Sequence, residues 1–419
     1  MPLHPDALKA AEAVDQERLW RRHEIMAGFG ARPDGGVNRA ALSAEDRAAR
    51  AELLGWAGAL GLEPAVDDIA NLFLRRPGRD AAAAPVLTGS HMDSQPAGGR
   101  YDGIYGVLAG LEALEAMAAA GVTTERPVEL VAWTNEEGGR YAPGAMGSAV
   151  FTGARQLTEF DALVDADGVA FPKALAETLA ATPDLPRRPF NFPAAAYIET
   201  HIEQGPILEA SGTTIGVVSG IQGARWFEVT VSGESAHAGT TPLAGRRDAL
   251  REAVAVIQAL QALMADPDDV VRFTVAKMEV EPNTPNSVAA RVTFSIDFRH
   301  PEAASLARLG DAIAEVAAGA VTACSVSVAE TLTHAPCIFD PAVVATIDQA
   351  AEALGLPRRA LPSGAFHDAL FLSAVCPAGM IFVPCEKGIS HNPAEAATAD
   401  DLAAGARVLA ASLVGLASR

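Results

Sequence analysis

Residues 85–121, PVLTGSHMDSQPAGGRYDGIYGVLAGLEALEAMAAAG, carry the clearest local signal for the fold. Pro85–Thr88 is a short apolar run that predicts a buried strand, and His91 stands just beyond it. Ile104–Ala120 is rich in Ala and Leu and is followed by Gly121, which predicts a buried helix with a glycine just past its last turn. A strand, a polar loop and a helix in succession are typical of an α/β sheet.

The same order of apolar strand and polar loop recurs further along the chain. Three later strands are predicted at Val128–Thr134, Ala194–Glu199 and Met380–Val383. The side chains that follow them are the pair Glu136–Glu137, then His201, and then His391 in the last of the loops. Ligands of open α/β sheets bind outside the carboxyl ends of the strands. These side chains are therefore expected to meet at one edge of the sheet.

Residues 212–329 have a different rhythm, because Val292–Phe298 alternates strictly between apolar and polar residues, as a strand with one covered face does. Strands and helices are predicted in the order Trp226–Val231, Arg246–Met264, Val271–Val280, Val292–Phe298, Glu302–Ala318 and Val321–Val328. The order β-α-β-β-α-β is that of a ferredoxin-like sandwich. The predicted class is α/β, with a discontinuous mixed-sheet domain (residues 1–211 and 330–419) and an insertion (residues 212–329) that can act as a lid.

Composition and charge limit the partners that the chain can have. It has 419 residues, of which 49% are apolar, so about two domains with sizeable cores are expected. Lys and Arg total 32 against 52 Asp and Glu, a net charge of −20. Such an acidic surface disfavours nucleic acid and anionic membranes as partners. No uninterrupted apolar stretch reaches about 18 residues, which argues against a membrane span.

The cysteines and the N-terminus indicate a cytoplasmic protein. The four cysteines, Cys324, Cys337, Cys376 and Cys385, show neither CxxC spacing nor the disulfide framework of a secreted protein. They are expected to be buried or half-buried thiols in a reducing compartment. Residues 1–20 lack a basic segment followed by an apolar run, so no signal peptide is predicted.

Five short segments supply side chains of the kinds that bind divalent metals. They contain His91, Asp93, Asp102, Glu136, Glu137, His201 and His391. Three imidazoles interleaved with carboxylates suit a pair of divalent metals that share one carboxylate, which predicts a metallohydrolase. The adjacent Glu136 and Glu137 would repel each other unless a cation compensates them, so one can bind metal while the other activates water. Asp93 is expected to hold His91 in one tautomer.

Each of these residues also has a structural explanation when it is taken alone. His91 could be a polar loop histidine, Asp102 the N-cap of the following helix, and the two glutamates a solvated acidic turn. The joint occurrence of five such segments favours the metal site.

Taken together, the segments resemble a known family. GSHMDSQPAGGRYDGIYGVLAG, TNEEGGRY, YIETHIEQGP, GESAHAGTTP, NTPNSVA, DFRH and SGAFHDA are similar to signatures of the hydantoinase/carbamoylase branch of the di-metal aminoacylase and carboxypeptidase superfamily. The similarity runs from about residue 20 to the C-terminus. It implies that His91 and His201 bind one metal and that Glu137 and His391 bind the other. Asp102 would bridge the two metals. The resemblance also implies that Glu136 is the general base and later the acid, and that Asp93 orients His91.

The resemblance also implies which residues hold the substrate. Gln204, His237, Asn286 and Arg299 match the family's positions for an α-carboxylate and the scissile amide, and Phe366 and His367 lie in the matching SGAFHDA segment. Arg299 suits a bidentate grip on a carboxylate. In the family, the histidine that corresponds to His237 stabilises an oxyanion and reaches across a homodimer formed through the lids.

Phe366 departs from the family, whose segment usually reads SGAGHDA where this chain has SGAFHDA. The family uses the backbone of that glycine next to the substrate. A benzyl group there should reshape the pocket or favour an apolar or aromatic substrate, unless Phe366 points into the core.

The resemblance implies a binuclear metal-dependent amidohydrolase that acts on a small substrate with a free carboxylate. The expected substrates are N-carbamoyl-L-amino acids or N-carbamoyl-β-alanine, cleaved at the carbamoyl C–N bond to the amino acid, ammonia and carbon dioxide. Allantoate, or an N-acyl amino acid or dipeptide, is the alternative for the same site. A third hypothesis, a catalytically inert binding protein, predicts lost ligands, and none is missing. Imidazole and carboxylate ligands admit Zn, Mn, Co or Ni.

Overall fold

The strands at the centre of the large sheet are short runs in which every residue is buried. They are Val86–His91, Val128–Trp133, Ala196–Ile202 and Ala378–Val383. A strand that is covered on both faces reads as a near-continuous apolar run without alternation. The computed structural model describes residues 4–419.

Strands and helices alternate along much of the described chain. The strands are β1 (Glu63–Val66), β2 (Leu72–Arg76), β3 (Val86–His91), β4 (Val128–Trp133), β5 (Ala196–Ile202), β6 (Ile215–Ile221), β7 (Gly223–Ser232), β8 (Ala236–His237), β9 (Arg272–Glu281), β10 (Ser287–Val288), β11 (Arg291–His300), β12 (Ser325–His334), β13 (Cys337–Ile338), β14 (Arg358–Ser363) and β15 (Ala378–Val383). The helices are α1 (Pro5–Glu12), α2 (Gln16–Gly28), α3 (Ala44–Ala59), α4 (Ile104–Ala119), α5 (Met146–Phe151), α6 (Phe171–Ala180), α7 (Ile207–Ala210), α8 (Ala249–Leu263), α9 (Ala303–Ala320), α10 (Pro341–Ala353), α11 (Ala369–Leu372) and α12 (Ala399–Ala417). Short 3₁₀ turns lie at Leu157–Phe160, Leu243–Gly245 and Glu386–Gly388.

In the described part of the chain, nine strands form one mixed sheet in the order β1-β2-β4-β3-β5-β15-β6-β13, with β14 beside β6. β3 runs parallel to both β4 and β5, and β15 runs parallel to β5. β2 is antiparallel to β4, and β6 is antiparallel to β15. The mixed α/β fold predicted from the sequence is confirmed, and the parallel strands form the middle of its sheet.

Two histidines that were predicted to follow strands lie inside them instead. β3 ends at His91, and β5 continues past His201 to Ile202. Both histidines stay in the ladder, His91 opposite Trp133 and His201 opposite Phe382. Side chains on strands are held more firmly than side chains on loops, so the sheet itself orients these two imidazoles.

Two long buried helices stabilise the large sheet near the loop that contains Asp102. α4 begins two residues after Asp102 and packs against α12, and both helices contribute heavily to the apolar core. Their contact needs Gly405, since a Cβ there would lie 2.1 Å from the Tyr105 hydroxyl oxygen. α12 begins after Thr398, whose side chain accepts a hydrogen bond from the N–H of Asp401 at 3.1 Å.

The chain divides into two compact units. The large unit comprises the described residues up to Ser219 together with Phe339–Arg419, and the inserted unit comprises Gly220–Ile338. The insertion predicted at residues 212–329 thus begins and ends later in the structure. The reason is that β6 pairs with β15 in the large sheet, while β12 of the inserted unit continues to His334.

The inserted unit consists of an antiparallel sheet and two helices. Within Gly220–Ile338, four strands pair in the order β12-β7-β11-β9, and along the chain the main elements follow the order β-α-β-β-α-β. α8 and α9 pack against each other and against this sheet. The apolar core between them includes Val229, Val231, Phe294, Ile296 and Ile313.

The last strand of this four-stranded sheet begins later than the sequence pattern indicates. A strand is predicted at Val321–Val328, whereas β12 spans Ser325–His334. Glu252 of α8 is the cause, because its carboxylate accepts hydrogen bonds of 2.9–3.1 Å from the main-chain N–H groups of residues 322–324 and from the hydroxyl of Thr322. Those amides do not join the ladder, and the predicted start is wrong by four residues.

No helix within residues 4–419 is long and apolar enough to cross a bilayer. Cys376 and Cys385 are buried, and Cys324 and Cys337 are partly exposed. The cytoplasmic location stays a prediction.

Candidate metal centre

Asp102 stands between two groups of potential metal ligands. His91 and His201 join it in the inner group, and Glu137 and His391 join it in the outer group; within each group the ligand atoms lie within 4.8 Å of one another. Oδ1 of Asp102 is 3.7 Å from His91 Nε2 and 3.1 Å from His201 Nε2. Oδ2 is 3.3 Å from His391 Nε2, which is itself 3.3 Å from Glu137 Oε2. One oxygen of the shared carboxylate therefore faces each group.

The turn before α4 brings Asp102 close to the buried histidines. Gly103, which follows it, caps the helix with a φ of 65°. A Cβ at Gly103 would lie 2.2–2.4 Å from atoms of the His91 ring. Glycine is needed here both for the left-handed backbone and for the close approach to the imidazole.

Main-chain carbonyls orient the two imidazoles of the inner group. Nδ1 of His91 contacts the carbonyl of Asp93, and Nδ1 of His201 contacts the carbonyl of Ile202, each at 2.9 Å. A carbonyl only accepts hydrogen bonds, so the proton of each neutral ring is held on Nδ1 and the Nε2 lone pair is directed toward Asp102. Burial lowers the pKa of His91 to about 4, which keeps this ring neutral. Ligation through Nε2 requires this tautomer.

The carboxylate of Asp93 positions the two adjacent glutamates. Its Oδ1 accepts from the N–H of Glu136 and its Oδ2 from the N–H of Glu137, each at 3.2 Å. The carboxylate is 3.8 Å from His91 Nδ1, so the expected contact with His91 is made by the carbonyl of Asp93 instead. Asp93 thereby connects the inner group to the loop after β4.

Glu136 and Glu137 point to different parts of the site. Glu136 Oε2 lies 3.6 Å from His91 Nε2, and its side chain is 10% exposed. Glu137 faces His391, and Gln95 donates to its Oε2 at 2.8 Å. The geometry leaves Glu137 as a ligand candidate and Glu136 beside the ligands.

Burial and mutual repulsion shift the pKa values of the carboxylates and imidazoles at the site. Burial and the neighbouring carboxylates raise the pKa of Glu136 well above its ordinary value, and burial with the charge of Asp102 raises that of Glu137 to about 8. Burial lowers the pKa of His201, but hydrogen bonding to Asp102 raises it to about 9; the same carboxylate raises the pKa of His391 to about 9. Carboxylates buried this close together repel one another, and an imidazole and carboxylate donor set fits divalent metals.

Three residues around the site have a left-handed backbone conformation, which is costly for residues other than glycine. They are Asn135 at φ 56°, Gln204 at φ 57° and His391 at φ 53°. Such conformations cost of order 1–3 kcal/mol each and persist where the surrounding structure fixes them, as at functional sites.

Gln204 lies at the outer group. Its Nε2 donates to Asp102 Oδ2 at 2.9 Å and lies 3.5 Å from His391 Nε2. The residue expected to hold substrate is thus in direct contact with the shared carboxylate.

His367 and Phe366 occupy different environments, although they are neighbours in the SGAFHDA segment. His367 is buried, with Nε2 3.0 Å from Ser363 Oγ and its ring centroid 4.6 Å from that of His201. Phe366 is 37% exposed, and its ring centroid is 5.7 Å from that of Phe371. His367 therefore supports a ligand histidine, whereas the phenyl group of Phe366 lies at the surface and not in the core.

The remaining substrate candidates lie in the inserted unit. His237 is in β8, where its Nδ1 accepts from the N–H of Gly239 at 3.1 Å. The carbonyl of Asn286 accepts from the N–H of the residue after His237 at 3.0 Å, so a short ribbon keeps these two residues together. Arg299 in β11 donates from Nε and Nη2 to the carboxylate of Asp297 at 2.8–3.2 Å.

Some residues at the site were not predicted from the sequence. Ser390 Oγ lies 2.8 Å from Asp102 Oδ2, and Glu395 accepts from the N–H of Asp102 at 3.1 Å. Both belong to the ISHNPAE segment that supplies His391. Their closeness to His391 in the sequence is the feature from which they could have been predicted.

Glu199 is a further buried residue that the sequence analysis missed. It accepts from Ser90 Oγ at 2.6 Å and from the N–H of Ala369 at 2.9 Å, and so joins β3, β5 and the SGAFHDA segment. Its position two residues before His201 places both side chains on one face of β5, which was a usable signal.

The fold and the paired ligand groups define a metal-dependent hydrolase of the mixed α/β class. The sequence profile of Peptidase family M20/M25/M40 matches residues 87–414, and the chain belongs to this family, whose enzymes depend on metal.

Individual relatives agree with this assignment. An N-carbamoyl-L-amino-acid amidohydrolase of Rhizobium meliloti is 38% identical, over 94% of this chain and 95% of that protein. An allantoate amidohydrolase of Escherichia coli strain K12 is 34% identical, over 97% of this chain and 98% of that protein. A solved amidase of the hydantoinase/carbamoylase family from Burkholderia multivorans is 45% identical with a TM-score of 0.90, over 97% of this chain and 98% of that chain. The predicted branch and the predicted enzyme class, an amidohydrolase, are confirmed.

Proposed function

We propose that this amidohydrolase cleaves the carbamoyl C–N bond of N-carbamoyl-L-amino acids. The supporting observation is a pair of ligand groups that share Asp102, beside Glu136, in a chain whose relatives include N-carbamoyl-L-amino-acid amidohydrolases 33–38% identical over 94–96% of it. The products are the amino acid, ammonia and carbon dioxide. N-Carbamoyl-β-alanine belongs to the same chemical class of substrates.

The proposal includes two divalent metal ions. The inner group would hold one and the outer group the other, with Asp102 shared between them. Divalent cations at these positions supply Lewis-acid polarisation of a carbonyl and acidify water. Zn, Mn, Co and Ni all accept this donor set.

Glu136 is proposed as the proton carrier. It is nearly buried, lies beside the inner group and is held through its backbone by Asp93, while Glu137 faces His391. Glu136 would accept a proton from the attacking water and return it to the leaving nitrogen, so that water is consumed and the carboxylate is restored.

Residues of the inserted unit are proposed to bind the substrate. Arg299 is assigned to the substrate carboxylate, because a guanidinium has the fork geometry for such a group. Asn286, together with Gln204 of the large unit, is assigned to the substrate amide and carboxylate, and His237 to the developing oxyanion. We also propose that this unit is a ferredoxin-like lid through which two chains form a homodimer.

Allantoate is the second candidate substrate. It is supported by allantoate amidohydrolases from Escherichia coli and Bacillus subtilis that are 34% and 33% identical to this chain. We rank it second because the exposed phenyl ring of Phe366, the residue before His367, would favour an amino acid with an apolar side chain over a polar ureide.

A substrate panel tests the proposal. Enzyme reconstituted with each of the four metals is incubated with N-carbamoyl-L-phenylalanine, its D-enantiomer, N-carbamoyl-β-alanine and allantoate, and ammonia is measured. N-Acetyl-L-phenylalanine and a dipeptide are assayed for amine release. We expect the highest kcat/KM for the L-carbamoyl compound. Faster turnover of allantoate, release of amines alone, or binding without turnover by metal-loaded protein would each contradict it.

A further inference from the structure

Glu395 is a buried carboxylate that contacts two distant parts of the chain near the ligands. It is 3% exposed. Its Oε1 accepts from the main-chain N–H groups of Tyr101 and Asp102 at 2.8 and 3.1 Å, across 294 and 293 residues of sequence. Its Oε2 is the acceptor for Ser390 Oγ at 3.0 Å.

Ser390 completes a connection from Glu395 to the side chain of Asp102. Its Oγ lies 2.8 Å from Asp102 Oδ2, the oxygen that faces the outer group. Glu395 therefore holds Asp102 at its backbone directly, and the Ser390 hydroxyl, whose single proton can serve either carboxylate, lies between the side chains of Glu395 and Asp102. Since His391 follows Ser390, the same contacts set the loop that supplies the last ligand.

The local backbone is shaped to admit this carboxyl group. A Cβ at Gly99 would lie only 2.0–2.2 Å from the carboxyl atoms of Glu395, so any larger residue there would displace it. Burying a carboxylate near the charge of Asp102 is unfavourable unless hydrogen bonds compensate it. The three donors to Glu395 all come from the segments that contain Asp102 and His391, so the cost of burial is met by contacts that join those segments.

We propose that Glu395 is a positioning residue that assembles the shared ligand Asp102 and the His391 loop into one metal centre. It does not touch the reacting atoms. The inference rests on the proposed function only in that the two groups bind divalent metal, and it does not depend on which substrate is cleaved.

Metal binding to the purified full-length protein tests the proposal. Apo-protein of the wild type, Glu395→Ala, Glu395→Gln and Ser390→Ala is titrated with Mn²⁺ or Zn²⁺ against a competing chelator, and bound metal is counted by elemental analysis. Partners of this kind typically change metal affinity by about 10–100-fold. We expect Glu395→Ala to lose about tenfold or more in affinity at the outer group. Ser390→Ala should show a smaller loss.

Glu395→Gln should keep affinity within about threefold of the wild type, because its amide oxygen can still accept both N–H bonds and its amide nitrogen can donate to Ser390. Glu386→Gln is the matched control, since it removes one exposed carboxylate from the same segment and should change nothing. Wild-type affinity in Glu395→Ala with a folded apo-protein overturns the role of Glu395 alone. If Glu395→Ala does not fold, wild-type affinity in Ser390→Ala together with a large loss in Glu395→Gln overturns it instead. A wild type that binds no divalent metal overturns the metal centre and this inference with it, whereas failure of the substrate panel alone affects only the proposed function.

Discussion

Asp102 is the residue on which both ligand groups depend. Its two oxygens face His201 at 3.1 Å and His391 at 3.3 Å; Gln204 donates to the second of them, and Ser390 Oγ lies 2.8 Å from it. Loss of this side chain would remove a donor from both groups, whereas loss of Glu137 would remove one from the outer group alone. Substitutions of different residues around the site should therefore have different effects on metal binding.

Glu136→Gln should lower kcat by about 10²–10⁴-fold, because glutamine keeps the size of the side chain but cannot accept a proton. Metal content should stay at the wild-type value, since Glu136 lies beside the ligand groups and does not belong to either. Turnover is measured as ammonia release and metal by elemental analysis. Glu137→Gln is the control and should lose bound metal. Wild-type turnover in Glu136→Gln would rule out its role as proton carrier.

Phe366→Gly should lower kcat/KM for N-carbamoyl-L-phenylalanine by roughly 2- to 10-fold, because aromatic contacts contribute about 0.5–1.5 kcal/mol beyond area burial. N-Carbamoylglycine should be affected little. Val375→Ala, another exposed apolar residue of the large unit, serves as the control and should leave both substrates unchanged. An equal loss for both substrates would show that Phe366 acts on the fold and not on the choice of substrate.

At the scale of single residues, the sequence predicted which side chains gather at the site better than it predicted their contacts. The five ligand candidates come together because they end or follow neighbouring strands, a rule that sequence patterns can apply. The carboxylate of Asp93 turns to Glu136 and Glu137 instead of His91, and Glu395 contacts Asp102 from 293 residues away. Such contacts depend on loop backbone angles and long-range closure, which residue types and local spacing do not specify.

At the scale of elements, strand centres were more predictable than strand ends. β3, β4, β5 and β15 are read directly from buried apolar runs. Strand ends, by contrast, depend on tertiary contacts. At β12, hydrogen bonds to Glu252 keep residues 322–324 out of the ladder. A local pattern of apolar residues contains no information about such a distant acceptor.

Glu252→Gln should destabilise the protein by about 2 kcal/mol at pH 7, because hydrogen bonds to a charged group contribute roughly 1.5–3 kcal/mol. Although burial opposes it, hydrogen bonding from residues 322–324 lowers the pKa of Glu252 from 4.5 to about 2. The lowered pKa means that the stabilisation is complete above about pH 4.5 and is lost as the pH falls toward 2.

Urea unfolding at pH 7, 4.5 and 3, followed by tryptophan fluorescence, measures this difference. The difference in the free energy of unfolding between wild type and Glu252→Gln should fall by pH 3 to less than roughly half of its value at pH 7. Glu279→Gln, which removes an exposed partner of Lys277, is the control and should cost no more than about 0.5 kcal/mol. A gap that is independent of pH would contradict the assigned hydrogen bonds.

At the scale of the whole molecule, metal and folding should be coupled. The ligands come from β3, the turn before α4, the loop after β4, β5 and the loop after β15, so bound metal joins segments from both ends of the large unit. A ligand that binds only the folded state stabilises it by about 2.7 kcal/mol at a hundred times its Kd.

Chelation should therefore abolish turnover and lower Tm by several degrees, and added Zn²⁺ or Mn²⁺ should restore both. Differential scanning calorimetry with and without chelator measures the shift. Glu137→Gln should show a smaller shift than the wild type because its outer group lacks one donor. A Tm that does not respond to metal in the wild type would contradict a metal centre that spans these segments.

The discontinuity of the large unit has a consequence for how the protein is made. β5 emerges from the ribosome before the insertion, but its neighbour β15 lies beyond it, and the chain from Glu203 to Val383 takes roughly 9–36 s at about 5–20 residues per second. The inserted unit contains its own core and is complete before that time. Until β15 has been synthesised, the edge of β5 that will pair with it is unpaired. An unpaired edge on an apolar strand is a site at which other chains can add by β-pairing. The insertion thus sets how long a nascent chain must keep that edge covered.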